Sequence, residues 1–340
     1  MTNRSVYPGQ FRDRSDNTTG NSSRHLWSEA VRLPADLYPG VGGKRFRAEL
    51  VQRAYAFGGG KGEVNDAIID AIETLHAGSL VVDDFEDDSA RRRDQPALHR
   101  VVGAARAVNA GNWMYFRALE IAGDAYDDPR MQADLLSRFV QTARQCHEGQ
   151  AVDLSASVVK LSARHVRPTA LAISRWKTGR LVALAAWCGA HAASAPAPVL
   201  AAVSAYGCRV GVCLQMKNDL DELRDFARGA DRCDDLRNRR VTWPWAWAAA
   251  VADGRYEALQ ARLRSIGNDA ASLRSVARAL ASHVDEAAHE DLTKRLRSAE
   301  CRLKDAEMDC TSTEGLTELA ERLLKSARPI HGHRSRGGRP

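Results

Sequence analysis

Residues 75–99 read LHAGSLVVDDFEDDSARRRDQPALH. An apolar approach runs into five carboxylates (Asp83, Asp84, Glu86, Asp87 and Asp88) and then into Arg91, Arg92 and Arg93. On a helix, Asp83 and Asp87 share a face, where like charges repel unless a cation lies between them. Hard carboxylate oxygens favour Mg2+, which takes one or two protein carboxylates and completes its shell with water and phosphate oxygens. The arginine block can grip the same phosphates by charge-assisted hydrogen bonds. The competing explanation, a solvated acidic helix end, is weakened by LHAGSLVV. That segment is apolar enough to be buried, so the acids emerge at the mouth of a core.

On either side the pattern is helical. Apolar residues recur at three and four in DAIIDAIETLHAGSLVVDD, and four further helices follow: 102–126, 131–157, 169–194 and 198–226. No strand pair flanks a hairpin turn, so the fold class is all-α, with no sheet. Residues 1–24 are polar and rich in Gly, Asn and Ser, the composition of a disordered segment. Residues 25–327 form the expected folded domain, and 328–340 a basic disordered tail.

The chain has 340 residues, a net charge of +6 and seven cysteines. The cysteines show no CxxC or metal-finger spacing, as expected for reduced thiols in a cytoplasmic protein. The N-terminus has no apolar core of a secretory signal. No run of apolar residues has the length of a bilayer span, so stable membrane insertion is not expected. The charge excess lies largely in the tail, and no nucleic-acid partner is expected.

Polar groups stand out elsewhere. Gly42 and Gly43 precede Lys44, Arg45 and Arg47 at a helix start, a natural anion site, although solvated basic turns are common. Lys177 and Thr178 interrupt an apolar helix; a lysine there either snorkels or holds an anion. Gln215, Asn218, Asp219 and Glu222 make a second oxygen-rich patch, which an amphipathic helix turning to solvent would also produce.

Together, and in this order, these segments resemble the trans-isoprenyl diphosphate synthases, the polyprenyl synthetase family, and most of all the geranylgeranyl diphosphate synthases. The resemblance runs from about Gly42 to Pro244. It rests on GGKRFR (42–47), the aspartate-rich run with its arginines, EGQAVDL (148–154), KTG (177–179), QMKNDLDE (215–222) and DDLRNRRVTWP (234–244). It implies the isoprenoid synthase fold (class I terpenoid synthase-like), a helical bundle around a central cavity, usually a homodimer. It also implies a Mg2+-dependent prenyltransferase, with three ions per active site, that joins isopentenyl diphosphate to an allylic diphosphate. By position, Asp83, Asp84, Asp87, Asn218, Asp219 and Glu222 correspond to metal ligands. Lys44, Arg47, His76 and Arg93 match the isopentenyl diphosphate site, and Arg92, Lys177, Thr178, Gln215 and Arg240 the allylic diphosphate site. Asp83, Asp87, Lys177 and Asp219 would carry the chemistry.

There are departures. The family's second DDxxD is Asn218-Asp219-Leu220-Asp221-Glu222 here, Ala48 stands for a usual proline, and Arg240 for a usual lysine. The register starting at Asp221 is disfavoured because Gln215 fixes the alignment. Two alternatives follow from the altered motif: a terpene cyclase, and a non-catalytic regulatory subunit. The cyclase lacks a use for the isopentenyl diphosphate residues. Gly78 and Ser79, small residues just before the first motif, point to a product beyond fifteen carbons, with Trp113, Tyr115 and Phe116 as a deeper floor. Geranylgeranyl diphosphate is the expected product.

Overall fold

Small residues at helical spacing bring two helices of this chain into near backbone contact. The computed structural model describes residues 25–32, 46–92, 95–305 and 313–324. Segments 1–24 and 328–340, with Lys44 and Arg93, lie outside the described residues. The chain divides into two compact units. The first takes Met1–Ala48 and Asp66–Gln132, and the second Glu49–Asn65 and Ala133–Pro340.

In the first unit, α2 (Asp66–Glu86) buries Ile68, Ala71, Ile72, Leu75, Ala77, Gly78, Val81 and Asp84, the spacing of one helix face. Helix α1 (Phe46–Phe57) begins in this unit and continues into the other. Helices α3 (Leu98–Val102) and α4 (Ala104–Gly123) follow. Helix α4 packs on α2 through Ala107, Ala110, Gly111 and Met114. A Cβ on Gly78 would lie 2.8 Å from the Gly111 carbonyl oxygen and 2.9 Å from Met114 Cβ. Gly78 is therefore small for helix contact, a use the sequence reading did not foresee. Phe116, expected in a cavity floor, is 69 % exposed.

The expectation of no sheet needs one correction. β1 (Arg91–Arg92) pairs antiparallel with β2 (Gln95–Pro96). With two residues per strand it leaves the class all-α. It turns the chain back at the end of the acidic run.

In the second unit, α5 (Pro129–Ser155, begun in the first unit), α6 (Ala163–Ile173), α7 (Arg180–Ala192), α8 (Ala197–Arg228), α9 (Asp234–Arg237), α10 (Trp243–Ala248), α11 (Arg255–Ser265), α12 (Ala270–Lys304) and α13 (Glu314–Leu324) follow in order. Helix α7 is buried almost all round, from Leu181 to Ala186 and Cys188 to His191, as a core helix must be. It and α12 pack on α8. By length and composition α8 is apolar enough to cross a membrane. Its buried residues nonetheless sit in the protein core, and it carries Lys217, Asp219, Asp221 and Glu222. The helix expected over 169–194 is not continuous. Between α6 and α7 runs a π-helical turn, Ser174–Gly179. Helix α10 contributes three tryptophans, Trp243, Trp245 and Trp247, each no more than 1 % exposed.

Candidate active site

In the first unit, Asp83 and Asp84 end α2, and Asp87 follows one turn on, its N–H donating to the Asp83 carbonyl at 2.9 Å. The three acids are not equivalent. Asp84 is buried and is gripped by Arg92 through both oxygens, with Nε donating at 3.1 Å. Arg92 also lies 3.8 Å from Asp83. The β1–β2 turn thus returns Arg92 onto Asp84 and satisfies a carboxylate that burial alone would make costly. Asp83 and Asp87 are half-exposed. His76 is half-buried in α2, and Arg47 in α1 pairs with Glu73 at 2.9 Å.

In the second unit, the π turn carries Lys177 and Thr178. A π turn has one more residue per turn than an α-helix and is often found at functional sites. Two glycines let it lie close to its neighbours. A Cβ on Gly149 of α5 would lie 2.6 Å from Lys177 N, and one on Gly211 of α8 would lie 2.8 Å from Gly179 Cα. Lys177 Nζ pairs with Asp153 of α5 at 3.0 Å. Thr178 Oγ1 donates to Gln215 Oε1 at 2.6 Å, and Gln215 Nε2 donates to Asp219 Oδ1 at 2.7 Å. The Trp243 main-chain N–H donates to Asp219 Oδ2 at 3.0 Å. Arg240 is buried and donates to the Asp153 carbonyl at 2.9 Å.

The remaining second-patch residues separate. Asn218 is exposed. Glu222 accepts from the Cys233 thiol and from the N–H groups of Asp234 and Asp235 at the start of α9. Asp221, the start of the disfavoured register, pairs with Lys217 and lies 4.0 Å from Arg224. Asp225 of that register pairs with Arg228 on the exposed side. The alignment through Gln215 and Asp219 is therefore the one that joins the motif to the π turn.

Two acids were not singled out from sequence, Asp153 and Asp235. Both lie in segments that carried the resemblance, but neither shares a helix face with Asp219. Burial raises Asp219 to about 7, against the hydrogen bonds from Trp243 and Gln215, with Glu222 and Asp153 adding repulsion. Burial also raises Asp235 well above its usual range, with Glu222, Asp219 and Asp153 repelling it and Lys177 opposing. Burial raises Glu222 as well. Burial is thus the first cause of all three shifts, and repulsion among the acids adds to it. Among the described residues no three His, Cys, Asp or Glu side chains already converge on a metal point.

A model of the polyprenyl synthetase family matches residues 28–281. The geranylgeranyl diphosphate synthase of Methanosarcina mazei is 31% identical over 214 residues, 59% of this chain and 65% of that one. The (2E,6E)-farnesyl diphosphate synthase of Mycobacterium tuberculosis is 34% identical over 185 residues, 53% of this chain and 49% of that one. A copalyl diphosphate synthase of Talaromyces verruculosus is 34% identical over 143 residues, which is 42% of this chain and only 14% of the relative. The aligned stretches thus span less than two thirds of these relatives. The crystal structure of geranylgeranyl pyrophosphate synthetase from Pyrococcus horikoshii superposes with a TM-score of 0.73 at 26% identity, covering 88% of this chain and 90% of that one. With a family match over most of its length, a helical fold shared with solved synthases, and polar groups gathered where the motifs fall, this chain belongs to the polyprenyl synthetase family.

Proposed function

We propose that the protein is a prenyltransferase that lengthens an allylic diphosphate (dimethylallyl, geranyl or farnesyl) by isopentenyl diphosphate, with geranylgeranyl diphosphate as product. The observation that carries the reading is the unbroken polar path Thr178–Gln215–Asp219–Trp243 beside the Lys177–Asp153 pair. It sets phosphate-binding donors against acids that burial leaves short of positive charge.

The chemistry needs a diphosphate to leave and a carbon cation to survive. Asp83 and Asp87 in one unit, and Asp219 with Asp153 or Asp235 in the other, would hold Mg2+. Held there, Mg2+ would neutralise a diphosphate and make it a better leaving group. Lys177, Thr178 and Arg240 would add donors to the charge that grows on a diphosphate as the allylic C–O bond breaks, and Arg92 keeps the allylic-diphosphate role that its motif gives it. Asp153 fixes where the Lys177 ammonium stands. Lys44, Arg47, His76 and Arg93 are assigned to the second substrate, whose double bond attacks the cation before a proton is lost. Apolar helices keep out the water that would quench the cation. No side-chain nucleophile is required. A cytoplasmic homodimer completes the reading.

Purified protein with Mg2+ and isopentenyl diphosphate is to be incubated with five-, ten-, fifteen- and twenty-carbon allylic diphosphates, each also alone. A longer diphosphate formed only with isopentenyl diphosphate, the largest of twenty carbons, is the expected result. A cyclic hydrocarbon from an allylic substrate alone would overturn it in favour of a cyclase. Turnover that appears only with a second subunit would overturn it in favour of a regulatory role.

A further inference from the structure

The π turn is held by a residue that also holds the second aspartate patch. Ser174 opens the turn and is 1 % exposed. Its hydroxyl donates to the Ala170 carbonyl at 2.8 Å and accepts from Trp243 Nε1 at 2.8 Å. The Trp243 main-chain N–H, at the other end of the same residue, donates to Asp219 Oδ2. One buried residue therefore touches both the start of the turn that bears Lys177 and Thr178 and the carboxylate they must face.

The indole cannot swing away. Arg295 and Arg167 lie over its ring, with guanidinium carbons 4.9 and 5.8 Å from the centroid. Both arginines are tied to Asp291, Arg167 at 3.0 Å and Arg295 Nε at 3.0 Å. Trp247 Nε1 donates to the same carboxylate at 3.1 Å. Cations on an aromatic face and a shared carboxylate fix the ring plane, and the ring plane fixes the N–H direction. A π turn is a local departure from α-helical hydrogen bonding that its surroundings must accommodate, and Ser174 is where this one is tied to α10.

We propose that the Trp243–Ser174 hydrogen bond is a positioning strut that sets Lys177 and Thr178 against Asp219 for diphosphate binding. The assignment rests on the prenyltransferase reading for the identity of the ligand, but its geometry concerns any diphosphate bound there. Trp243 and Ser174 are positioning residues: they act through Lys177, Thr178 and Asp219.

The test uses the full chain, inorganic pyrophosphate with Mg2+ in a calorimeter, and initial rates with both substrates. Trp243→Phe keeps the ring and removes the N–H; Ser174→Ala removes the acceptor. Each is expected to weaken pyrophosphate binding about tenfold, the scale of one buried hydrogen bond. Each should raise the allylic KM similarly and leave the isopentenyl diphosphate KM unchanged. The double variant should be no worse than either single one, because both remove the same bond. Ser174→Thr, which keeps the hydroxyl, should restore binding. Trp245→Phe, a matched loss in the same helix, should leave pyrophosphate affinity as it was. Unchanged affinity in both folded single variants would overturn the strut, as would a hundredfold loss in the double. So would an equal loss in Trp245→Phe, which would mean general loosening. Should Trp243→Phe fail to fold, Ser174→Ala, which deletes a single oxygen, decides the matter. A wild type that binds pyrophosphate but elongates nothing would overturn the prenyltransferase reading and leave the affinity series to judge the strut. A wild type that binds no pyrophosphate would overturn both.

Discussion

Gly149→Ala sets two opposing effects against each other in α5. Alanine is the better helix former by about 1 kcal/mol, and on that ground alone the variant would be more stable. The structure reverses the sign. A Cβ at 149 would meet Lys177 N at 2.6 Å, Trp176 Cβ at 2.8 Å and the Trp176 carbonyl carbon at 2.9 Å. Comfortable contact is roughly 3.5–4.0 Å, so the turn must retreat by roughly 1 Å. Two of the three atoms are main-chain, and no rotamer change relieves them. Overpacking of this kind costs about 1–3 kcal/mol. The net expectation is a loss of up to about 2 kcal/mol, a Tm lower by up to about 8 °C for a unit of this size. Because the atom pushed is the Lys177 main-chain nitrogen, pyrophosphate affinity should fall as well. Gly267, with nothing near its missing Cβ, is the control: Gly267→Ala should stay within about 0.5 kcal/mol of wild type. Denaturant melts and calorimetry check both. A Gly149→Ala protein as stable as wild type, with unchanged pyrophosphate binding, would refute the claim that the turn is pressed against α5.

Three further outcomes are expected. Arg239 has a left-handed backbone (φ 58) and donates to the carbonyls of Leu236, Arg237, Ile266 and Gly267 and to Asn268 Oδ1. Both Arg239→Ala and Arg239→Gly lose the clamp, but the glycine variant should melt higher by the equivalent of about 1 kcal/mol, since it sheds the backbone strain. Asp219 and Asp235, raised mainly by burial, keep protons in the folded state that the unfolded chain has already lost. Stability of the metal-free protein should therefore fall as pH rises from the ordinary aspartate range through about 7, and urea melts of Asp235→Asn should show a flatter profile. Burial raises Glu49, but hydrogen bonds from Arg322 and Arg53 outweigh it and hold its carboxyl below the usual range. Its contribution to docking α13 is present above that range and lost as pH falls through the lowered value. The stability gap between wild type and Glu49→Gln should close in acid.

The helix that carries Asp83 was legible from the three- and four-residue spacing of its apolar side chains, and it runs on through the first acids to Glu86. Arg92 read from the sequence as a cation for phosphate. Its grip on Asp84 was not legible, because that depends on a two-residue ladder too short to leave a sequence pattern. The π turn was invisible for a related reason: one extra residue in a helix of apolar side chains shifts the register without altering composition. Lys177 read equally well as a snorkelling side chain until Asp153 was found beside it. Glu222 shows the reverse. Its spacing from Asn218 is right for a ligand pair, yet its carboxylate is engaged by Cys233 and the start of α9, a tertiary contact that spacing cannot anticipate.

The two acidic patches answer the same electrostatic problem in different ways. In the first unit the buried carboxylate, Asp84, is matched by a bidentate arginine, and the acids beside it are half-exposed, where water screens them. In the second unit Asp219 is raised by burial, with Glu222 and Asp153 repelling it, and Asp235 by burial, with Glu222, Asp219 and Asp153 repelling it and Lys177 opposing. A folded chain gains nothing in stability from such a cluster; replacing its acids by neutral groups would relieve it. Its persistence makes sense if the missing charge arrives with the ligand. A divalent ion bound there with a diphosphate converts mutual repulsion into attraction, so the patch would bind its cation most tightly when deprotonated. Affinity for Mg2+ with pyrophosphate should accordingly rise as pH climbs towards about 7, within the span over which the metal-free protein weakens. Opposite slopes in those two measurements are what a site organised around an incoming cation requires; parallel slopes would mean that the buried acids serve the fold alone.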